Sequence, residues 1–264
     1  MAKSSIMGRP LDREDISSAA SLLNVSPAHV RALIAVEAAG TGFLGKYAND
    51  PRLPKILFEA HIFSRETGGQ FDQSHPRISC QHWNRELYSG GLKEHDRLRL
   101  AADLDFAAAY RSASWGLFQI MGFNHQAAGY QRLSDFIGVQ FVSEGLQLFC
   151  GVNFILAHGL HKYLQKEDWR GFAKGYNGPA YEKNRYHEKL AGAFERYRSE
   201  PEERDPAAHQ VKELQKALNR HGFSLAVDGL LGSRTEAAIR EFQEQNGLAV
   251  DGIPGPKTRQ ALGL

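Results

Sequence analysis

Apolar residues recur at helical spacing along most of the chain. Residues 12–23 put Ile16, Ala19, Ala20 and Leu23 on one face, with Asp12 as cap and Asp15 at the capping-box position. In the next stretch Ser26 is a good N-cap and Pro27 suits the first helical position, while Gly40 is placed to end the helix in a left-handed turn. Within it Val30, Leu33, Ile34 and Glu37 fall at i, i+3, i+4 and i+7, so a carboxylate closes a face that should be buried. Residues 56–63 form a short apolar run that reads as a strand, on which Glu59 and His61 would share a face; helix is the alternative for so short a run. Residues 68–91 are rich in Gly, Ser, His, Gln and Asn with Trp83 and Tyr88 interspersed, and read as a loop long enough to carry function.

Residues 93–110 look helical. After them comes Ser114-Trp115-Gly116-Leu117-Phe118-Gln119-Ile120, where the Gln119 amide must find partners in the protein or in a ligand. A helix over 143–158 carries Leu146, Phe149, Cys150, Asn153, Phe154 and Ala157 at core spacing, and another begins over 168–174. It leads into Gly175-Tyr176-Asn177-Gly178-Pro179-Ala180-Tyr181, read as a turn flanked by two tyrosines. Tyr186, Leu190, Ala193, Phe194 and Tyr197 define a last amphipathic helix. The expected fold class is therefore mainly α, with a small β element.

Residues 199–208 hold two prolines and no large apolar side chain, and read as a linker. Beyond it the chain repeats itself. Val227-Asp228-Gly229-Leu230-Leu231-Gly232-Ser233-Arg234-Thr235 returns 23 residues later as Val250-Asp251-Gly252-Ile253-Pro254-Gly255-Pro256-Lys257-Thr258. Each Asp-Gly suits a tight turn, and each motif then opens a helix: Ser233 and Glu236 form a capping box, and Pro256 sits at a first helical position. With a helix over 211–221, this predicts three short helices around Leu214, Leu218, Ile239, Phe242 and Leu262. No titratable cluster stands out there, so the segment reads as a binding module. The expected domains are 1–198, a linker over 199–208, and 209–264.

Composition narrows the function classes. The 264 residues carry a formal net charge of +2, with 24 basic against 20 acidic residues through Ser199 and 8 against 10 beyond it. That is too little for a strong nucleic-acid footprint, although a mildly basic body is drawn to an anionic polymer. No run of about 18 apolar residues occurs, so no membrane insertion is expected. The N-terminus lacks the apolar region of a secretory signal, which places the chain in the cytoplasm until something else releases it. Cys80 and Cys150 form no metal-ligand pattern and are expected as buried thiols. His75, His82, His95 and His125 fit no zinc spacing, so neither metal nor cofactor is expected.

The chemistry then rests on Glu37. An apolar setting and the negative end of the helix dipole both disfavour the carboxylate, which would keep Glu37 protonated near neutral pH as a glycosidase acid requires. The plainer alternative is a glutamate turning toward water. Residues 12–34 also have the outline of a helix-turn-helix, so a DNA-binding regulator is the rival from another class. A third reading is a binding protein without activity.

Three separated pieces match one pattern: Ala32-Leu33-Ile34-Ala35-Val36-Glu37, then Ser114 through Ile120, then Gly175-Tyr176-Asn177-Gly178. They resemble the lysozyme-like superfamily that includes goose-type lysozymes and lytic transglycosylases. Residues from about 19 to 197, including Leu57-Phe58-Glu59-Ala60-His61-Ile62-Phe63, are similar to the N-acetylmuramidase domain of bacteriophage endolysins. Residues 209–264 resemble the three-helix peptidoglycan-binding domain often fused to cell-wall hydrolases. The resemblance implies a lysozyme-like catalytic domain cleaving the β-1,4 bond between N-acetylmuramic acid and N-acetylglucosamine, with Glu37 as catalytic acid. It also implies that Ser114, Gln119, Tyr176 and Asn177 line the sugar groove and that Tyr181 offers a stacking platform. Goose-type lysozymes carry a carboxylate where this chain has Met121, which leans toward the transglycosylase arrangement and its 1,6-anhydro product. From within the closer family Glu59 is the best second carboxylate, with Asp50 weaker, and that family favours hydrolysis. Peptidoglycan is the implied partner, a monomer the expected state, and a separate pore-forming protein the implied means of release.

Overall fold

Asp12 accepts the Asp15 N–H at 2.9 Å and Asp15 accepts the Asp12 N–H at 3.1 Å, so the expected capping box opens α1 (Arg13–Leu23). The computed structural model of the chain describes residues 8–37, 41–44, 53–199, 206–227, 229, 231 and 233–264. Helix α2 (Pro27–Glu37) begins at the anticipated proline; Gly40, expected to stop it, lies outside the described residues. Val30 and Leu33 enter the main core, while Ala32 packs on a second cluster with Ala193 and Phe194. His29 lies between Trp169 and Phe194, at ring separations of 5.7 and 4.3 Å. No residue of α2 is exposed.

A two-stranded ladder pairs β1 (Phe43–Leu44) with β2 (Leu53–Pro54). A three-stranded antiparallel sheet follows, in the order β3 (Ile56–Phe58), β4 (Ala113–Trp115), β5 (Ile120–Met121). The strand expected over 56–63 therefore stops at Phe58. Glu59 becomes the N-cap residue of α3 (Ala60–Glu66), its carbonyl accepting from the Ile62 and Phe63 N–H groups at 3.1 and 3.0 Å. The apolar period changes at that point: Ile56 and Phe58 bury at spacing two, Ala60 and Phe63 at spacing three. Glu59 and His61 do not share a strand face.

The expected helix over 93–110 is two, α4 (Lys93–Ala102) and α5 (Phe106–Arg111), because Asp105 caps a new start by accepting the Ala108 N–H at 2.9 Å. Helices α6 (Leu133–Gln140) and α8 (His161–Gln165) had no clear sequence signal. Between them α7 (Glu144–Ala157) is capped by Ser143. Helix α9 (Trp169–Asn177), capped by Asp168, runs three residues into the segment expected to turn. Gly175 is there for closeness and not for bending: a Cβ on it would lie 2.4 Å from Leu160 Cδ2. The turn comes at Gly178, with φ +72°, and α10 (Tyr186–Ser199) follows.

The chain divides into two compact units, Met1–Tyr197 and Arg198–Leu264. Of the expected linker, Ser199 ends α10 and residues 206–208 open α11 (Pro206–Arg220), a proline being at ease at a helix start. Residues 200–205 lie outside the described residues. In the second unit α11, α12 (Ser233–Gln245) and α13 (Pro256–Ala261) enclose Leu214, Leu218, Ile239, Phe242 and Leu262, the core expected from the pattern. A buried glutamine secures each repeat. Gln215 accepts the Gly229 N–H at 2.9 Å and donates to Thr235 Oγ1 at 3.2 Å. Gln243 accepts the Asp251 and Gly252 N–H groups at 3.1 and 2.9 Å and donates to Thr258 Oγ1 at 3.1 Å. Gln243→Ala strands two backbone donors, a loss of about 1–3 kcal/mol for a buried group left unpaired. The expected outcome is a lower thermal midpoint for residues 206–264, followed by their amide NMR signals.

Candidate active site

Glu37 ends α2 against a wall of aromatic rings. The Tyr186 hydroxyl donates to Glu37 Oε1. Tyr186 is 8% exposed, and its ring lies 6.4 Å from that of Tyr176 and nearly parallel to it. Tyr176 in turn stacks on Phe172 at 5.4 Å and meets Phe154 edge-on at 5.8 Å. Burial in this surrounding pushes the Glu37 carboxyl up to about 8, against an ordinary value of 4.5. Burial likewise drives the Tyr176 hydroxyl well above its usual range, and the Glu37 charge adds to the effect.

The β4–β5 hairpin adjoins this wall. The Tyr176 hydroxyl donates to the Phe118 carbonyl at 3.3 Å, next to Gln119 at the turn. Gln119 has φ +48°, and its amide is engaged inside the protein: it accepts from Ser114 Oγ at 3.0 Å and donates to the Gly116 and Lys55 carbonyls at 2.8 and 3.2 Å. Ser114 and Gln119 are brought together, and both amide hydrogens are used in fixing the turn. Gly116 is required there, since φ is +69° and a Cβ would lie 2.3 Å from Gln140 Oε1. Behind the hairpin the buried Glu144 accepts from Thr41 Oγ1, the Gly42 N–H and the Leu11 N–H at 2.6, 2.7 and 3.0 Å, anchoring the segment beyond α2.

Asn177 is exposed at the last turn of α9. Tyr181 is half-buried; its hydroxyl donates to Glu182 at 3.1 Å and its ring meets His187 edge-on at 5.3 Å. Glu59 is extended, with φ −103° and ψ 98°. The alternation of β3 therefore continues through it, and it leaves on the face of Leu57, whose partner across the ladder is Ser114. Its carboxylate accepts from the Tyr88 hydroxyl at 2.5 Å and lies 3.3 Å from His61 Nδ1. Asp50 lies outside the described residues.

Two features escape a reading of the sequence. Tyr186 reads as one more core residue of an amphipathic helix, since its partner is 149 positions away. The other is the Glu94–Arg97 pair under the loop at 68–91. Glu94 is fully buried and accepts the Phe58, Ser89 and Gly90 N–H groups at 3.2, 2.7 and 2.9 Å. Arg97 Nη1 donates to Glu94 at 2.8 Å and to the Phe58 carbonyl at 3.0 Å. A charged pair at i, i+3 on a helix reads from sequence as a solvated face.

Among the described residues no cluster of three His, Cys, Asp or Glu side chains could hold a metal ion, and no single helix is long and apolar enough to cross a membrane. Cys80 and Cys150 are both free thiols; Cys80 is half-buried, and burial pushes the Cys150 thiol up to about 12. A recognition helix needs well-exposed side chains to reach base edges, and those of α2 are buried or half-buried.

Residues 26–198 match the N-acetylmuramidase family, and residues 208–262 match a peptidoglycan binding domain. The crystal structure of the Burkholderia AP3 phage endolysin is similar at a TM-score of 0.66 and 39% identity, over 72% of each chain. A spore cortex-lytic enzyme of Bacillus cereus is 46% identical over 61 residues, 23% of this chain and 24% of that protein. The N-acetylmuramoyl-L-alanine amidase CwlL of Bacillus licheniformis is 48% identical over 56 residues, 20% of this chain and 16% of that protein. The chain thus spans about a quarter or less of the length of these two relatives.

Proposed function

The chain belongs to the N-acetylmuramidase family, and from that premise we propose that it is an endolysin cleaving the glycan strands of bacterial peptidoglycan. The bond is the β-1,4 link between N-acetylmuramic acid and N-acetylglucosamine, and the reaction is hydrolysis. The observation that carries this reading is the Glu37 carboxyl raised to about 8 beside Tyr186 and Tyr176. Glu37 gives its proton to the leaving glycosidic oxygen as positive charge develops on the sugar. Asn177 offers its amide to the sugar, and Tyr181 a ring face. Ser114, Gln119 and Tyr176 act as a fixed wall, because their polar groups hold one another and the hairpin. Glu59, steadied by Tyr88 and His61, orients the attacking water.

The lytic transglycosylase reading has one observation in its favour: Met121, on β5, stands where goose-type lysozymes have a carboxylate. In that case the 6-hydroxyl of the muramic acid attacks in place of water. Mass spectrometry of digested peptidoglycan separates the two, because a hydrolysed end carries one water more than a 1,6-anhydro end. Reducing N-acetylmuramic acid ends are expected; anhydro ends would replace hydrolysis by transglycosylation. The second unit tethers the enzyme to its polymer, raising local concentration. The protein acts as a monomer, with no nucleic-acid partner and no cofactor. It stays in the host cytoplasm until a separate pore-forming protein admits it to the wall.

A further inference from the structure

The loop at 68–91 is fixed from below and yet turns a tryptophan outward. Asp72 accepts from Ser64 Oγ and Ser79 Oγ at 3.0 and 2.5 Å, and Glu94 takes the Ser89 and Gly90 N–H groups. Between these anchors Trp83 is 60% exposed, with Tyr88 as its ring neighbour at 6.2 Å. Of the three tryptophans, Trp115 is buried and Trp169 is half-buried within the clusters of the first unit. A single exposed apolar side chain needs no explanation. Phe106 is such a case, an exposed ring resting on Tyr110 of its own helix.

Trp83 differs in its surroundings. Tyr88 beside it is pinned by its hydroxyl to Glu59, and His61 stands 3.3 Å from the same carboxylate. The Arg97 guanidinium lies over the Tyr88 ring at 5.9 Å, so the ring is held from two directions. A flat apolar face next to a carboxylate and an imidazole suits a pyranose, which has C–H groups on its faces and hydroxyls around its rim.

We propose that Trp83 and Tyr88, with Glu59 and His61, form a stacking subsite for an N-acetylhexosamine residue of the glycan strand. The proposal rests on the glycosidase reading, and its test separates the two.

The full chain carrying Glu37→Gln is expected to bind without cutting, and all its tryptophans lie in the first unit. Chitohexaose, a β-1,4-linked N-acetylglucosamine hexamer, serves as the probe. Saturating probe should shield the exposed tryptophan from iodide quenching and shift its emission to the blue. In the active enzyme, Trp83→Ala should raise the half-saturating concentration of purified sacculi about 3- to 10-fold, as expected for loss of an aromatic face. The rate at saturation should stay within about 2-fold of the parent. Trp83→Tyr, which keeps a flat ring, should recover most of the loss.

Unchanged iodide quenching at saturating chitohexaose would overturn the subsite, as would Trp83→Ala saturating like the parent. Loss of lysis in Glu37→Gln is read separately and bears on the glycosidase reading alone. A lytic enzyme whose Trp83 stays open to iodide refutes the subsite and leaves that reading standing.

Discussion

Glu37→Gln is expected to lower the rate of cell-wall lysis by roughly 100- to 10,000-fold, the usual worth of a general acid. The amide is nearly the same size and can still accept the Tyr186 hydroxyl, but it has no proton to give. The fold should survive, and above neutral pH it should be more stable than the parent. The sign follows from the raised carboxyl. Its favourable contribution is complete below the ordinary value of 4.5, and it is lost as pH climbs through about 8. Each pKa unit corresponds to about 1.4 kcal/mol, so the gain from Gln grows to several kcal/mol at alkaline pH and vanishes in acid. Turbidity of stripped cells measures the first effect, and thermal unfolding from pH 4 to 9 the second. A variant that clears walls at the parental rate would remove Glu37 from the acid's role.

Arg97→Ala is expected to destabilise the first unit by about 3–5 kcal/mol, because it leaves a fully buried carboxylate without its cation. The damage should concentrate in the loop at 68–91. Glu94 takes two backbone donors of that loop, and Arg97 reaches the Arg77 carbonyl at 3.4 Å. Protease cutting within residues 68–91, well before global unfolding, is the expected signature, with reduced lysis following from displacement of Tyr88 and Glu59. Removing both charges together, as Glu94→Gln with Arg97→Met, should recover part of the loss. Urea unfolding measures the first quantity, and a loss below about 1 kcal/mol would mean that the pair is not the loop's anchor.

The parts of the fold legible in the sequence are those fixed by neighbours within a turn or two. The capping box at Asp12 and Asp15, the start at Pro27, the helix from about Ser143 and the core at Leu214, Leu218, Ile239, Phe242 and Leu262 are all local patterns. Of the apolar face expected on α2, Val30 and Leu33 are buried, while Ile34 and Glu37 are half-buried. Where the period changes inside a run, as at Glu59, a single pattern misassigns the far side. Gly175 misled because glycine signals both turns and close packing, and only Leu160 shows which is meant. Long-range partners left no trace at all. Nothing around Tyr186 announces Glu37, and nothing in Gln215 or Gln243 announces the turns they secure.

The site follows the same division. The resemblance implies a sugar groove, while the division of labour among its residues depends on contacts. The Gln119 amide reads as needing partners in the protein or in a ligand, and only the fold shows that its hydrogens go to the Gly116 and Lys55 carbonyls. Glu59 reads as half of a strand pair, and instead stands at the N-cap position of α3 with its carboxylate taken by the Tyr88 hydroxyl.

The most direct measurement is the titration of Glu37 itself, from the carboxyl carbon signals of 13C-glutamate-labelled protein with Glu37→Gln identifying the resonance. A midpoint of about 8 is the expected result. A midpoint near 4.5, the ordinary carboxyl value, would mean an ionised Glu37 at neutral pH and contradict its role as the proton donor.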